Sequence, residues 1–233
     1  MHVFLMRVVF MKKSWAYPLL ALFLAAPLQA ANLQAEVVDS QGRPLANAVV
    51  SLRNDALAAS APASAVIDQR AQQFAPSVLA VRVGTAVSFP NSDNIRHHVY
   101  SFSAAKRFEL RLYQGTPSEP VVFDTPGVVV LGCNIHDWMV GYVYVTDDPW
   151  FAVTDDQGRL RIDDLPAGRY SVSLWHPHIA EMLPQSAADV NIGEQATAQR
   201  FTIAVQAAAD AIAPSPPTNS FGDAFKKALD AAQ

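Results

Sequence analysis

The residues best equipped for chemistry lie in the stretch Leu131-Gly132-Cys133-Asn134-Ile135-His136-Asp137-Trp138-Met139, where a Cys-x-x-His-x-x-Met pattern directly follows an apolar run. A second run upstream carries His97-His98. A thiolate, a thioether and two imidazoles together make the donor set of a copper ion that exchanges single electrons. Soft sulfur suits Cu(I), imidazole accommodates Cu(II), and a trigonal His2Cys set with a weak axial Met serves both states with little rearrangement. Zinc would not call for Met139. A papain-like nucleophile would need an orienting carboxamide and an oxyanion motif, and neither is evident beside Cys133 and His136.

Such a site needs a short loop between two strands to turn Cys133, His136 and Met139 toward one point, and a neighbouring strand to bring a histidine from beneath. The chain supplies many short strands. LQAEVVDSQGRPLANAVVSLR at 33–53 holds two apolar runs around a turn at Asp39 to Pro44. From Ala65 the runs are AVIDQ, VLAVRVG, TAVSFPN, HHVYSFS, VVFD, VVVLGC and VGYVYVT, punctuated by Pro and Gly. From 150 onward, FAVTDDQGRLRIDDLPAGRYSVSLWHP alternates and turns at Gly158 and at Pro166-Ala167-Gly168. Short strands at this spacing predict an all-β, antiparallel sandwich architecture. Trp175-His176-Pro177-His178 reads as a loop with an ordinary solvated His pair rather than as a second metal site. Ala58 to Ala63 reads as a linker. So does the Ala/Pro-rich start of 206–233, before a short helix at Ser220 to Ala232 with Phe221, Phe225 and Leu229 on one stripe.

The whole chain has 233 residues, 51% hydrophobic and 16% charged, which is too apolar for intrinsic disorder. Its formal net charge of −4 offers no basic stripe for phosphates, so a nucleic-acid partner is excluded. Residues 1–30 carry Lys12-Lys13, an apolar run from Trp15 to Leu28 and small residues near Ala30, the pattern of a secretory signal peptide. The run is shorter than the ~20 residues that span a bilayer, and no later segment is long and apolar enough to do so. The expectation is therefore a periplasmic, monomeric protein with no membrane span after cleavage. In an oxidising compartment the single Cys133 is a liability unless it is buried or metal-bound.

Residues 64–147 resemble a plastocyanin-like cupredoxin. The resemblance rests on F-x-P-x-x-L-x-V-x-x-G at 74–84, V-x-F-x-N at 87–91, the His strand at 97–101 and C-x-x-H-x-x-M at 133–139. The tight loop is similar to that of amicyanin, and NSDNIRHHVYSFS…FEL…LGCNIHDWM resembles periplasmic methylamine utilisation proteins. The resemblance implies one type 1 copper, with Cys133 as thiolate, His136 as loop imidazole and Met139 as axial thioether. The family's His-Asn-Val motif points to His97 as the first ligand, whereas counting to Phe102 points to His98. V-x-D-x-x-G-x-P-L-x-x-A-x-V-x-L at 37–52 and T-D-x-x-G-x-L-x-I-x-x-L-P-x-G-x-Y at 154–170 resemble the opening and continuation of a carboxypeptidase regulatory-like, transthyretin-type sandwich, which implies that 33–58 and 150–205 are its two parts. The implied architecture is a Greek-key cupredoxin inserted in, or fused to, that sandwich.

The implied function is one-electron transport, not enzymatic turnover, between periplasmic redox proteins such as a dehydrogenase and a cytochrome. The alternative is a copper-binding or delivery protein without electron traffic. Ile135, Trp138 and Met139, with Trp150-Phe151, are candidates for an apolar rim around His136, or else for packing against the flanking sandwich. Asp137 stands where the family commonly has Pro. A carboxylate there stabilises the more positive, oxidised site, so Asp137→Asn and Asp137→Pro are each expected to raise the midpoint potential. Voltammograms identical to wild type for both variants would discard that effect.

Overall fold

The computed structural model describes residues 31–55 and 64–206. The leader, the linker at 58–63 and the C-terminal helix expected from sequence lie outside the described residues. Among the described residues the regular structure is all β, with seventeen strands and no helix.

The first segment supplies β1 (Ala31–Asp39) and β2 (Val49–Arg53). The central segment supplies β3 (Ser64–Val66), β4 (Asp68–Arg70), β5 (Gln73–Ala75), β6 (Val78–Arg82), β7 (Thr85–Ser88), β8 (His97–Ser103), β9 (Lys106–Tyr113), β10 (Val121–Phe123), β11 (Gly127–Cys133) and β12 (His136–Thr146). The last segment supplies β13 (Trp150–Val153), β14 (Arg159–Leu165), β15 (Gly168–Trp175), β16 (Gln185–Ile192) and β17 (Thr197–Ile203). Strands of the first and last segments pair only with one another, in sheets β14-β1-β17 and β13-β2-β15-β16. The central strands form a five-stranded sheet β6-β12-β11-β8-β9, a three-stranded sheet β10-β7-β3 and the hairpin β4-β5.

Two turns of the flanking sandwich share the sequence D-x-Q-G-R and the same bonding. In Asp39-Ser40-Gln41-Gly42-Arg43 the Asp39 carboxylate accepts from the amides of Gln41 and Arg43, and the Gly42 amide donates to the Asp39 carbonyl. In Asp155-Asp156-Gln157-Gly158-Arg159 the Asp155 carboxylate accepts from Gln157 and Arg159, and Gly158 donates to Asp155. An aspartate that satisfies amides two and four residues on fixes the turn locally. Gly158 is required twice over: its φ is +68°, and a Cβ there would sit 2.6 Å from the Val37 carbonyl oxygen.

Among the described residues there are two cores. Leu33, Val37, Val50, Leu52, Tyr170 and Trp175 are among the residues that fill the flanking sandwich. Ile67, Phe89, Val99, Phe123, Leu131 and Met139 are among those that fill the central one. β12 serves both, because successive side chains on a strand point to opposite faces. Met139, Val143 and Val145 face the central core. Tyr142 and Tyr144 face the other way and each meets Trp175 at a ring-centroid distance of 5.7 Å. Trp175 is fully buried in that contact. Asp148, just beyond β12, adds polar ties to β2, accepting from Ser51 Oγ and from Arg53 Nε, the latter at 2.7 Å.

His176 departs from the solvated loop that its sequence context suggests. It is buried, its Nε2–H donates to the Ala46 carbonyl at 3.1 Å, and its Nδ1 accepts the His178 amide at 3.1 Å. Both ring nitrogens are engaged, so neither is free to bind a metal. The cause is packing: just past the end of β15 the chain turns against Ala46, whose carbonyl holds the ring. Burial, and after it the nearby His178, push His176 down from 6.5 to about 4. The unfolded chain takes up this proton near 6.5 and the folded chain only near 4, so stability falls as pH drops through that window. His176→Gln is expected to remove roughly 3 kcal/mol of that pH dependence. Urea unfolding of both proteins at pH 7 and pH 4 measures it, and an unchanged difference rejects the assignment.

Candidate metal centre

β8 lies between β11 and β9, and its period-2 alternation sorts its side chains. His97, Val99 and Ser101 face the central core and are fully or almost fully buried. Tyr100 and Phe102 face outward, and Phe102 is 78% exposed. The adjacent histidines are separated by the same rule. His97 enters the core, whereas His98 turns to the outer side, where its neighbours cover it: Nε2 lies 3.1 Å from Glu109 Oε1 and the ring 5.7 Å from that of Tyr100.

Cys133 ends β11 and His136 opens β12. The register slips at this corner: Gly132 pairs with Val140, but Cys133 pairs with His136. That irregularity draws the start of β12 back over the end of β11. Cys133 Sγ then lies 3.8 Å from His97 Nδ1 and 3.6 Å from His136 Nδ1. The ligand atoms of the three residues all fall within 4.8 Å of one another, and they form the one such group found among the described residues. An imidazole nitrogen ~2.0–2.1 Å from a metal and a sulfur ~2.3 Å from it, set at trigonal angles, stand ~3.8 Å apart. The observed spacings therefore fit an ion between them.

The surroundings are apolar on the inside and open on one side. His97 and Cys133 are buried, and Met139 lies in the same core cluster as Cys133 with 1% exposure. His136 is half-buried, its ring 4.9 Å from that of His97 and 5.2 Å from that of Trp138. Burial, and after it the neighbouring His97, hold the His136 imidazole below its ordinary value, so it is a neutral donor at pH 7. Ile135 and Ile95, 48% and 38% exposed, are the apolar side chains left open on the two loops that bear or precede the ligand candidates. Trp150 and Phe151 make other contacts: Trp150 meets Tyr170 at 5.4 Å and Phe151 lies beneath the Arg82 guanidinium. Both belong to the join with the flanking sandwich.

The segment leading into β8 is tied down by Asn91, the last residue of the V-x-F-x-N motif, and by Tyr113 and Asp93, to which the sequence assigned no role. Asn91 Nδ2 donates to the Ile95 and Tyr113 carbonyls, each at 2.9 Å, and Asn91 Oδ1 accepts the Asp93 amide at 3.0 Å. Tyr113, which pairs with His97 across β8–β9, donates its hydroxyl to the Phe89 carbonyl at 2.6 Å. Burial pushes Tyr113 up to about 12, so it stays a neutral donor. Asp93 accepts from His97 Nε2 at 2.7 Å. Its carboxylate is held below the usual range. Burial, the largest influence, works in the opposite direction, and hydrogen bonds from Gln72, His97 and Ala71 outweigh it. The only sequence signal for Asp93 is its spacing, an acid four residues before a histidine.

No protein-family model and no curated protein matches the chain. Among solved structures the chain is similar to a purple cupredoxin from Nitrosopumilus maritimus, at 28% identity over 35% of this chain and 99% of that one, with a TM-score of 0.32. It is similar to a variant of amicyanin in its oxidised state at 22% identity, over 43% of this chain and 99% of that one, with a TM-score of 0.32. A copper-containing nitrite reductase from Thermus scotoductus is 23% identical over 48% of this chain and 28% of that one, with a TM-score of 0.34.

Asn91 is 5% exposed and leaves carbonyls unpartnered if truncated. Asn91→Ala is expected to cost about 1–3 kcal/mol of stability in the metal-free protein, read as a lower urea midpoint at unchanged slope. A midpoint equal to wild type contradicts this role.

Proposed function

We propose that the protein is an exported one-electron carrier with a single type 1 copper held by His97, Cys133, His136 and Met139. The observation that carries this reading is the trio of buried His97 Nδ1, buried Cys133 Sγ and half-buried His136 Nδ1 at separations that fit a metal. The thioether of Met139, buried in the same core, completes a donor set that favours copper over zinc. When bound, copper supplies a one-electron couple. The chain supplies fixed donors, exclusion of water around Cys133 and His97, and one half-exposed imidazole, His136, through which a partner can approach. Four protein donors leave no position for a substrate, so the reading is a carrier and not an enzyme.

The same reading takes residues 64–147 as a cupredoxin unit with an amicyanin-like loop. It takes the sheets from 33–58 and 150–205 as a carboxypeptidase regulatory-like sandwich interrupted by that unit, which the exclusive pairing of first and last segments supports. It also takes the partner to be a periplasmic dehydrogenase or cytochrome, and the protein to be a monomer.

Copper reconstitution tests the proposal. Wild type is expected to bind one equivalent, show a strong visible thiolate-to-copper band and give a reversible one-electron couple. Cys133→Ala and His97→Ala are expected to lose the band, and His98→Ala to keep it. A band that survives Cys133→Ala overturns the proposal. Colourless Cu(I) binding followed by transfer to an acceptor protein replaces it with copper delivery.

A further inference from the structure

We infer that Asp93 is a positioning residue that fixes the orientation and donor strength of His97 toward copper, and that the β4–β5 hairpin is the mount that holds Asp93 in place. The inference rests on the copper reading above and deepens it. A carboxylate only accepts hydrogen bonds, so the 2.7 Å contact with Asp93 Oδ2 puts the proton of His97 on Nε2. Nδ1 is then the free donor, and it is the atom that faces Cys133 Sγ at 3.8 Å. A carboxylate on the far nitrogen locks the tautomer and the ring plane and makes the imidazole a stronger donor. A stronger donor beside a negative charge stabilises Cu(II) more than Cu(I).

The mount has its own signature. β4 and β5 are joined by the two-residue loop Ala71-Gln72, with Arg70 paired to Gln73. Both loop residues have positive φ, 50° and 58°. A two-residue hairpin turn of this kind normally takes Asn-Gly, because left-handed backbone is unfavourable for a residue with a Cβ. Here the amides of both strained residues donate to Asp93, Ala71 to Oδ1 at 2.7 Å and Gln72 to Oδ2 at 2.9 Å. The Asp93 amide is itself held by Asn91 Oδ1. One carboxylate thus joins a strained turn to a candidate ligand, and strain of this kind persists where surrounding bonds over-determine it.

The test compares wild type with Asp93→Asn, each metal-free and copper-loaded, and repeats the comparison in an Ala71→Gly, Gln72→Gly background that relaxes the turn. In the metal-free wild type, NMR is expected to show a downfield, slowly exchanging His97 Nε2 proton, shifted or lost in Asp93→Asn. Copper-loaded Asp93→Asn is expected to bind Cu(II) ~10-fold more weakly relative to Cu(I). That is a rise of about 59 mV in midpoint potential for one electron. The glycine background is expected to recover stability without restoring the potential, which a purely structural role of Asp93 would not produce. Normal copper binding with an unmoved potential in Asp93→Asn overturns the role of Asp93 alone. Failure of wild type to bind copper overturns the copper reading and this role with it.

Discussion

The constraint on which this protein turns is the meeting of one sulfur and two imidazole nitrogens at the edge of an apolar core. A thiol and two rings have no strong affinity for one another, and burying them costs solvation that hydrogen bonds must offset. The separations of 3.6 Å and 3.8 Å around Cys133 Sγ are therefore held by the scaffold. β8 delivers His97 from below, the slipped register at the β11–β12 corner folds His136 back over Cys133, and Asn91 and Tyr113 anchor the approach to β8. On the copper reading proposed above, a site held in place by its scaffold would reorganise little as the ion changes charge, which fast one-electron exchange requires.

β12 connects this site to the rest of the molecule. Its inward residues close the core that contains Cys133 and Met139, while Tyr142 and Tyr144 pack on Trp175 in the flanking sandwich. The strand that begins at His136 is thus gripped on both faces along its later half, and its exit is tied to β2 through Asp148. The flanking sandwich covers one part of the outer face of the five-stranded sheet. It leaves open the part that carries Phe102, Val130 and Val140.

Much of this was legible in the residues. The Cys-x-x-His-x-x-Met run names a donor set because few other reasons place those three types at that spacing after an apolar strand. The D-x-Q-G-R turns were equally readable, since an Asp that caps amides two and four residues on needs no help from the rest of the fold. β9 is less plain: KRFELRLY alternates with period 2, but its charges hide a half-buried strand. Asp93 was hidden for another reason. Its partners, Ala71, Gln72 and His97, come from two places in the chain, and only the folded hairpin brings them together.

Local chemistry was therefore written in the order of residues: which side chains donate, where the chain turns, and which stretches extend. Which side of a strand faces inward was not. Two adjacent histidines have the same composition, the same neighbours and opposite fates. His97 enters the core and His98 turns to the outer face because the pleat sends successive side chains to opposite sides, and only sheet packing decides which side holds the core. The same holds for His176, drawn inside beside Trp175, and for Trp150 and Phe151, taken up by the join between sheets. Burial is a property of surfaces that meet across long separations in sequence, so the tertiary structure alone could assign it.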